Sequence, residues 1–184
     1  MTFRNTTRTW GVLSKTFHWL IVLMIIGQWL IAERADDLPN GMAKLQTLAL
    51  HKSLGITILF LAILRLVWRW ANPVPSLDGL AKPWERLLAH LSHILLYGLI
   101  FALPLTGWMM SSARNFPVSW FKLVQLPDLV APGQATFERM HDLHHLLFNV
   151  LVGVAVLHAL GALKHHVIDR NEVLKRMLPF GGVK

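Results

Sequence analysis

HHLLFNVLVGVAVLHALGALKHH, residues 144–166, is apolar enough for hydrocarbon yet carries imidazoles at both ends and in the middle. A bilayer core of about 30 Å takes about 20 helical residues to cross, so the stretch reads as a membrane span. Three earlier segments have the same character, and spans are expected at about 16–33, 48–69, 88–112 and 143–166. Across the 184 residues, 54% are apolar and only 15% charged, far from a soluble domain. The fold expected is all-α: an integral-membrane four-helix up-down bundle forming a single membrane domain, residues 1–184. Pro104, inside the third span, is expected to kink it, which membrane helices tolerate.

Orientation follows from Lys and Arg. Twelve of them (Arg4, Arg8, Lys15, Arg65, Arg69, Lys82, Arg86, Lys164, Arg170, Lys175, Arg176, Lys184) fall on the side of both termini. Six (Arg34, Lys44, Lys52, Arg114, Lys122, Arg139) fall on the other. Both termini are therefore expected to be cytoplasmic, in a multi-pass membrane protein. The first apolar run is followed by Glu33-Arg34-Ala35-Asp36 rather than small residues, so it reads as a retained span and not a cleaved signal. The net charge of +8 is then a topology signal, and no nucleic-acid partner is expected.

There is no cysteine, which excludes thiolate metal sites, iron-sulfur clusters and covalently attached c-type haem. Ten histidines remain, and an imidazole inside a span marks function unless a carbonyl satisfies it. His144 and His158 are separated by fourteen residues, which places them within about 40° of one helix face and about 21 Å apart along the axis. His18 opens span one on the inner side and His51 opens span two on the outer side. Because spans alternate in direction, His51 shares its depth with His144, and His18 with His158. Two facing imidazoles at each of two depths is the geometry of bis-histidine haem b, so two haem b, with iron on the pairs His18/His158 and His51/His144, are the expected cofactors. Zinc or copper would want three or four ligands at one depth.

His145 and His141 flank His144 but are rotated from His158 by about 140° and 100°, so they match it less well. His90 and His93 share a face of span three and are either interfacial or close to a cofactor. Arg65 lies fourteen residues after His51, at the inner depth, and is a candidate partner for a haem propionate. The alternative is that Arg65 and Arg69 are positive-inside anchors; Lys52 could serve propionates on the outer side.

An ordered set of motifs adds to this. FHW at 17–19, LHKSLG at 50–55, LRLVWR at 64–69, AHLSHILLY at 89–97, ALPLTGW at 102–108 and ALKHHVIDRNEVLKRMLP at 162–179 resemble the bacterial cytochrome b561 family over nearly the whole chain. The resemblance implies a four-helix di-haem b electron-transfer protein with axial ligands His18, His51, His144 and His158. It further implies oxidation of superoxide on the periplasmic side and reduction of ubiquinone on the cytoplasmic side, an oxidoreductase activity. His165, His166 and Lys164 are the candidates for the quinone end, with His93 and Arg65 behind them.

A second reading is a cytochrome b subunit that relays electrons for a periplasmic redox partner and has no substrate of its own. The outer side carries six basic residues against Glu33, Asp36, Asp37, Asp128, Glu138 and Asp142, a net neutral face that suits a docked partner as well as an anion. A third reading, a bundle whose histidines hold nothing, would give colourless protein.

Overall fold

In the computed structural model, which describes residues 2–180, four helices carry the chain: α1 (Val12–Asp37), α2 (Met42–Trp70), α3 (Pro83–Ala113) and α4 (Gln134–Val167). All four are long and apolar enough to cross a membrane, and the fold class is all-α. Each runs past the apolar segment that announces it; α4 begins nine residues before Leu143. Apolar content marks only what lies in hydrocarbon, whereas the helix continues through polar residues such as Glu138 and Arg139 until Gly133 stops it. α3 is unbroken at Pro104.

The described residues form two compact units, and each helix contributes to both. The first holds residues 2–20, 63–98 and 151–180. Its helices pair through Trp68 Nε1, which donates to Ser14 Oγ (3.0 Å), and through an ion pair of Lys164 with Glu85. The C-terminal segment is tied back by Trp19 Nε1 donating to Met177 O (2.9 Å) and Arg176 donating to Ser76 O (2.9 Å).

Asn5 organises the entry to α1. Its Oδ1 accepts from Gly11 N–H (2.9 Å) and Ser14 Oγ (2.6 Å), while its Nδ2 donates to Pro73 O (3.0 Å). Gly11 is required here, since a Cβ would sit 2.4 Å from Phe3 O. Asn5 is buried, so Asn5→Ala strands two donors and is expected to lower stability by about 2 kcal/mol. Thermal unfolding in detergent measures this.

The second unit holds residues 21–62 and 99–150. Late α1 meets early α2 where Gln28 bonds the carbonyl of His51. Early α2 meets late α3 at Lys52 and Ser111, and late α3 meets early α4 at Thr106 and His144. Sequential helices are therefore antiparallel, the up-down arrangement expected. Small residues at the interior, among them Ala35, Ala62, Ser53 and Ser112, permit close helix approach where there is no water to drive it. The α3–α4 connection contains a short hairpin: β1 (Ser119–Trp120) pairs antiparallel with β2 (Val124–Gln125), with Ser119 opposite Gln125.

Candidate functional site

In the second unit, the rings of His51 and His144 face one another with centroids 6.5 Å apart and planes at 71°. A metal held between two imidazoles separates their centroids by roughly 6.4 Å, from bonds of about 2 Å and ring radii of about 1.2 Å. The spacing would let the two rings hold one iron between them, the ligand set of bis-histidine haem b.

The neighbours of the His144 ring prepare it, and those of His51 fix its main chain. Thr106 Oγ1 lies 3.0 Å from His144 Nδ1 and also 2.9 Å from Leu103 O and 3.0 Å from Ala102 O. Carbonyls only accept, so the hydroxyl proton goes to one of them and Thr106 Oγ1 accepts from His144 Nδ1–H. That tautomer leaves a lone pair on Nε2 for a metal. Gly107, the next residue, makes room for the ring: a Cβ there would lie 3.3 Å from His144 Cε1. Opposite, Gln28 Nε2 donates to His51 O (2.9 Å), and Gly55 leaves space for that amide, with a Cβ falling 3.3 Å from Gln28 Nε2. His51 Nδ1 is buried with no hydrogen-bond partner among the described residues.

Thr106, Gly107 and Gln28 were not singled out by sequence reasoning. Only the inter-helix register reveals them, although the TGW of the motif at 102–108 contains the first two.

Lys52 Nζ bonds Ser111 Oγ (3.1 Å) and reaches Pro117 O (3.5 Å), so it is engaged with protein carbonyl and hydroxyl. His145 stacks with His141 (centroids 4.5 Å) and both are exposed. His141 also contacts Asp142 (3.2 Å).

The first unit gathers His18, Arg65, His93 and His158, all half-buried. Arg65 Nη2 is 3.2 Å from His18 Nδ1; guanidinium has only donors, so Nδ1 accepts. The same guanidinium carbon lies 5.3 Å from the centroid of the Tyr97 ring. His93 rests against His158 with centroids 5.1 Å apart, closer than the roughly 6.4 Å that a metal held between two imidazoles requires. His18, His93 and His158 lie within electrostatic reach of one another. A cavity of about 240 Å³ adjoins His93, lined also by Leu66, Arg69, His90, Ile94 and Tyr97.

The candidates at the end of α4 are brought together as an ion network. Lys164 Nζ pairs with Glu85 and with Asp169 Oδ2 (2.8 Å), and His165 Nδ1 also meets Asp169 Oδ2 (2.8 Å). The carboxylates and His165 are close enough to share a metal, but the Lys164 ammonium already supplies the cation between them. His166 Nδ1 is buried with no hydrogen-bond partner among the described residues.

The sequence profile of a family described as prokaryotic cytochrome b561 matches residues 9–180. Similar proteins include cytochrome b561 homolog 2 of Escherichia coli (strain K12), 34% identical over 97% of this chain and 95% of that protein. The probable superoxide oxidase CybB of Yersinia pestis is 32% identical over 94% of this chain and 97% of its own. Cytochrome b561 homolog 1 of Escherichia coli is 28% identical over 90% and 96%.

Proposed function

Because the chain belongs to the prokaryotic cytochrome b561 family, a family of membrane electron-transfer proteins, we propose that it carries two haem b, on His51/His144 and on His18/His158, and passes electrons from the periplasmic side of the bacterial inner membrane to ubiquinone. The 6.5 Å separation of His51 and His144 is the observation that carries this reading. Haem b supplies one-electron transfer, which suits a quinone that collects two electrons singly.

The chain's own residues do the rest. Thr106 holds the His144 ring in the tautomer that offers Nε2. At the inner depth, His18 Nδ1 accepts from Arg65, so its Nε2 bears the ring proton, and ligation requires the guanidinium to turn to another acceptor. A propionate is the natural one, because guanidinium and carboxylate pair in bidentate fashion.

The cavity at Arg69, His90, His93 and Tyr97 offers donors for quinone carbonyls and touches His158 through His93. Lys164, His165 and His166 are the second quinone candidates. Of these, Lys164 and His165 are already paired with acids.

The electron donor proposed is superoxide, which gives one electron and leaves as dioxygen; one of the relatives is named as a superoxide oxidase. Stopped-flow mixing of oxidised protein with superoxide tests it: direct haem reduction approaching about 10⁸ M⁻¹s⁻¹ is expected. Slow reduction that accelerates only with a redox partner would overturn it in favour of the relay subunit.

A further inference from the structure

The hairpin at 119–125 lies at the wrong depth for a loop in water. Trp120 Nε1 donates to Thr57 Oγ1 (3.1 Å), and Phe121 N–H donates to Ser53 Oγ (3.0 Å). Ser53 also lies 3.2 Å from Ser119 O. Ser53 and Thr57 are one turn apart on α2, and α2 covers Met42–Trp70. The middle of that helix is Ile56, one residue from Thr57 and about 4.5 Å along the axis from Ser53. Taking the apolar segment 48–69 instead, Ser53 is still only about 8 Å from the middle. Half of the hydrocarbon core is about 15 Å, so by either measure the hairpin contacts α2 well inside it.

The chemistry of the hairpin suits that depth. Phe121, Leu123 and Val124 are exposed, Leu123 to 76%. Its main chain is largely satisfied, as any backbone in hydrocarbon must be: the strands pair with each other, Leu123 N–H bonds Trp120 O (2.9 Å), and Leu126 N–H bonds Val118 O (2.9 Å). Ser53, buried to 2% exposure, takes the Phe121 amide. Lys122 is the one charge at the tip, and its four-carbon stem can carry the ammonium up to the headgroups.

The turn is made without glycine, with Phe121 at φ 47° and Lys122 at φ 62°. Side chains are disfavoured there, so the strain is sustained by the anchoring to α2. Glycine would form the turn more easily but would give up the apolar surface of Phe121.

We propose that residues 119–125 form a membrane-inserted hairpin whose tip, Phe121–Val124, packs among lipid acyl chains alongside the outer half of α2. The occupant of its exposed face is lipid, because that face lies at the depth of a membrane-spanning helix's interior and is continuous in character with exposed α2 residues such as Phe60 and Ile63. A water-soluble redox partner then has no access to the tip.

The chain contains no cysteine, so Leu123→Cys and, separately, Val124→Cys each give a unique nitroxide site. The measurement is power-saturation EPR on full-length protein in phosphatidylcholine/phosphatidylglycerol nanodiscs. Phe60→Cys on α2 serves as the lipid control and Asn40→Cys in the α1–α2 connection as the aqueous control. The expected result is a ratio of oxygen to nickel-chelate collision several-fold above that at Asn40 and equal to that at Phe60, at both hairpin sites. A ratio matching Asn40 at both sites overturns the proposal, as does inaccessibility to both reagents, which would mean that protein covers the tip. Each ratio is taken relative to the same variant equilibrated with nitrogen, which subtracts the constant relaxation from any bound ferric haem, so it succeeds or fails separately from the ligand assignment.

Discussion

Alanine at His144 is expected to leave the purified protein with about one haem b where two are expected in the wild type, and alanine at His51, His18 or His158 to do the same. Each substitution would remove one of the two imidazoles proposed to hold an iron. The remaining ligand must then hold the iron with an open position, which the pyridine haemochrome assay reads as lost stoichiometry and the reduced-minus-oxidised spectrum as lost low-spin α-band. Specificity comes from the histidines nearby. His145 and His141 stack on each other and are exposed, so His145→Ala and His141→Ala keep both haems. His93→Ala is the sharper control, since His93 sits 5.1 Å from His158, closer than an intervening metal permits. Full haem content in His93→Ala with loss in His18→Ala supports the inner pair as assigned; the reverse pattern replaces His18 by His93. If neither His144→Ala nor His51→Ala loses haem, the spacing of those rings does not mark a haem site and the outer ligand assignment is overturned.

Which parts of this site could be read in advance follows from what a single helix fixes. The fourteen-residue interval from His144 to His158 is a property of one helix, so periodicity alone puts both on one face, and alternation of direction gives the depths. The contacts that prepare the rings are properties of two helices. Thr106 meets His144, and Gln28 meets His51, only through the register between neighbours, which no spacing within α1 or α3 encodes. Arg65 illustrates both halves: its inner depth follows from fourteen residues after His51, but its hydrogen bond to His18 does not. The hairpin escaped for another reason. Its turn residues are Phe121 and Lys122, without the Asn-Gly or Gly signal that marks a hairpin. What makes the turn form is the pair of hydroxyls on α2, two and six residues beyond His51. Helix ends were underread because hydropathy reports the bilayer, not the hydrogen-bond ladder.

Thr106→Val separates the role of a hydroxyl from that of a shape. Valine fills nearly the same volume, and the carbonyls of Ala102 and Leu103 keep their helical partners, so α3 has no reason to move. What disappears is the hydroxyl acceptor at His144 Nδ1–H, which leaves the Leu103 carbonyl as the partner of that ring. With one partner in place of two the ring is held less firmly, and iron affinity at the outer site should fall by about 10-fold, the low end for hydrogen-bonded partners of metal-bound histidine. Transfer of haem to apomyoglobin measures this as a faster release of one haem of the two. The midpoint potential of that haem should rise as well, because an Nδ1–H polarised by one acceptor in place of two donates less charge and stabilises ferric iron less. Thr106→Ser restores the oxygen without the methyl group and should restore both readouts. Gly107→Val acts on the ring from the side, where a Cβ would already stand 3.3 Å from Cε1, and Ser cannot rescue it. Release and potential unchanged in Thr106→Val would mean that His144 takes its orientation from packing and the Leu103 carbonyl, and the Thr106 hydroxyl would have no bearing on the iron.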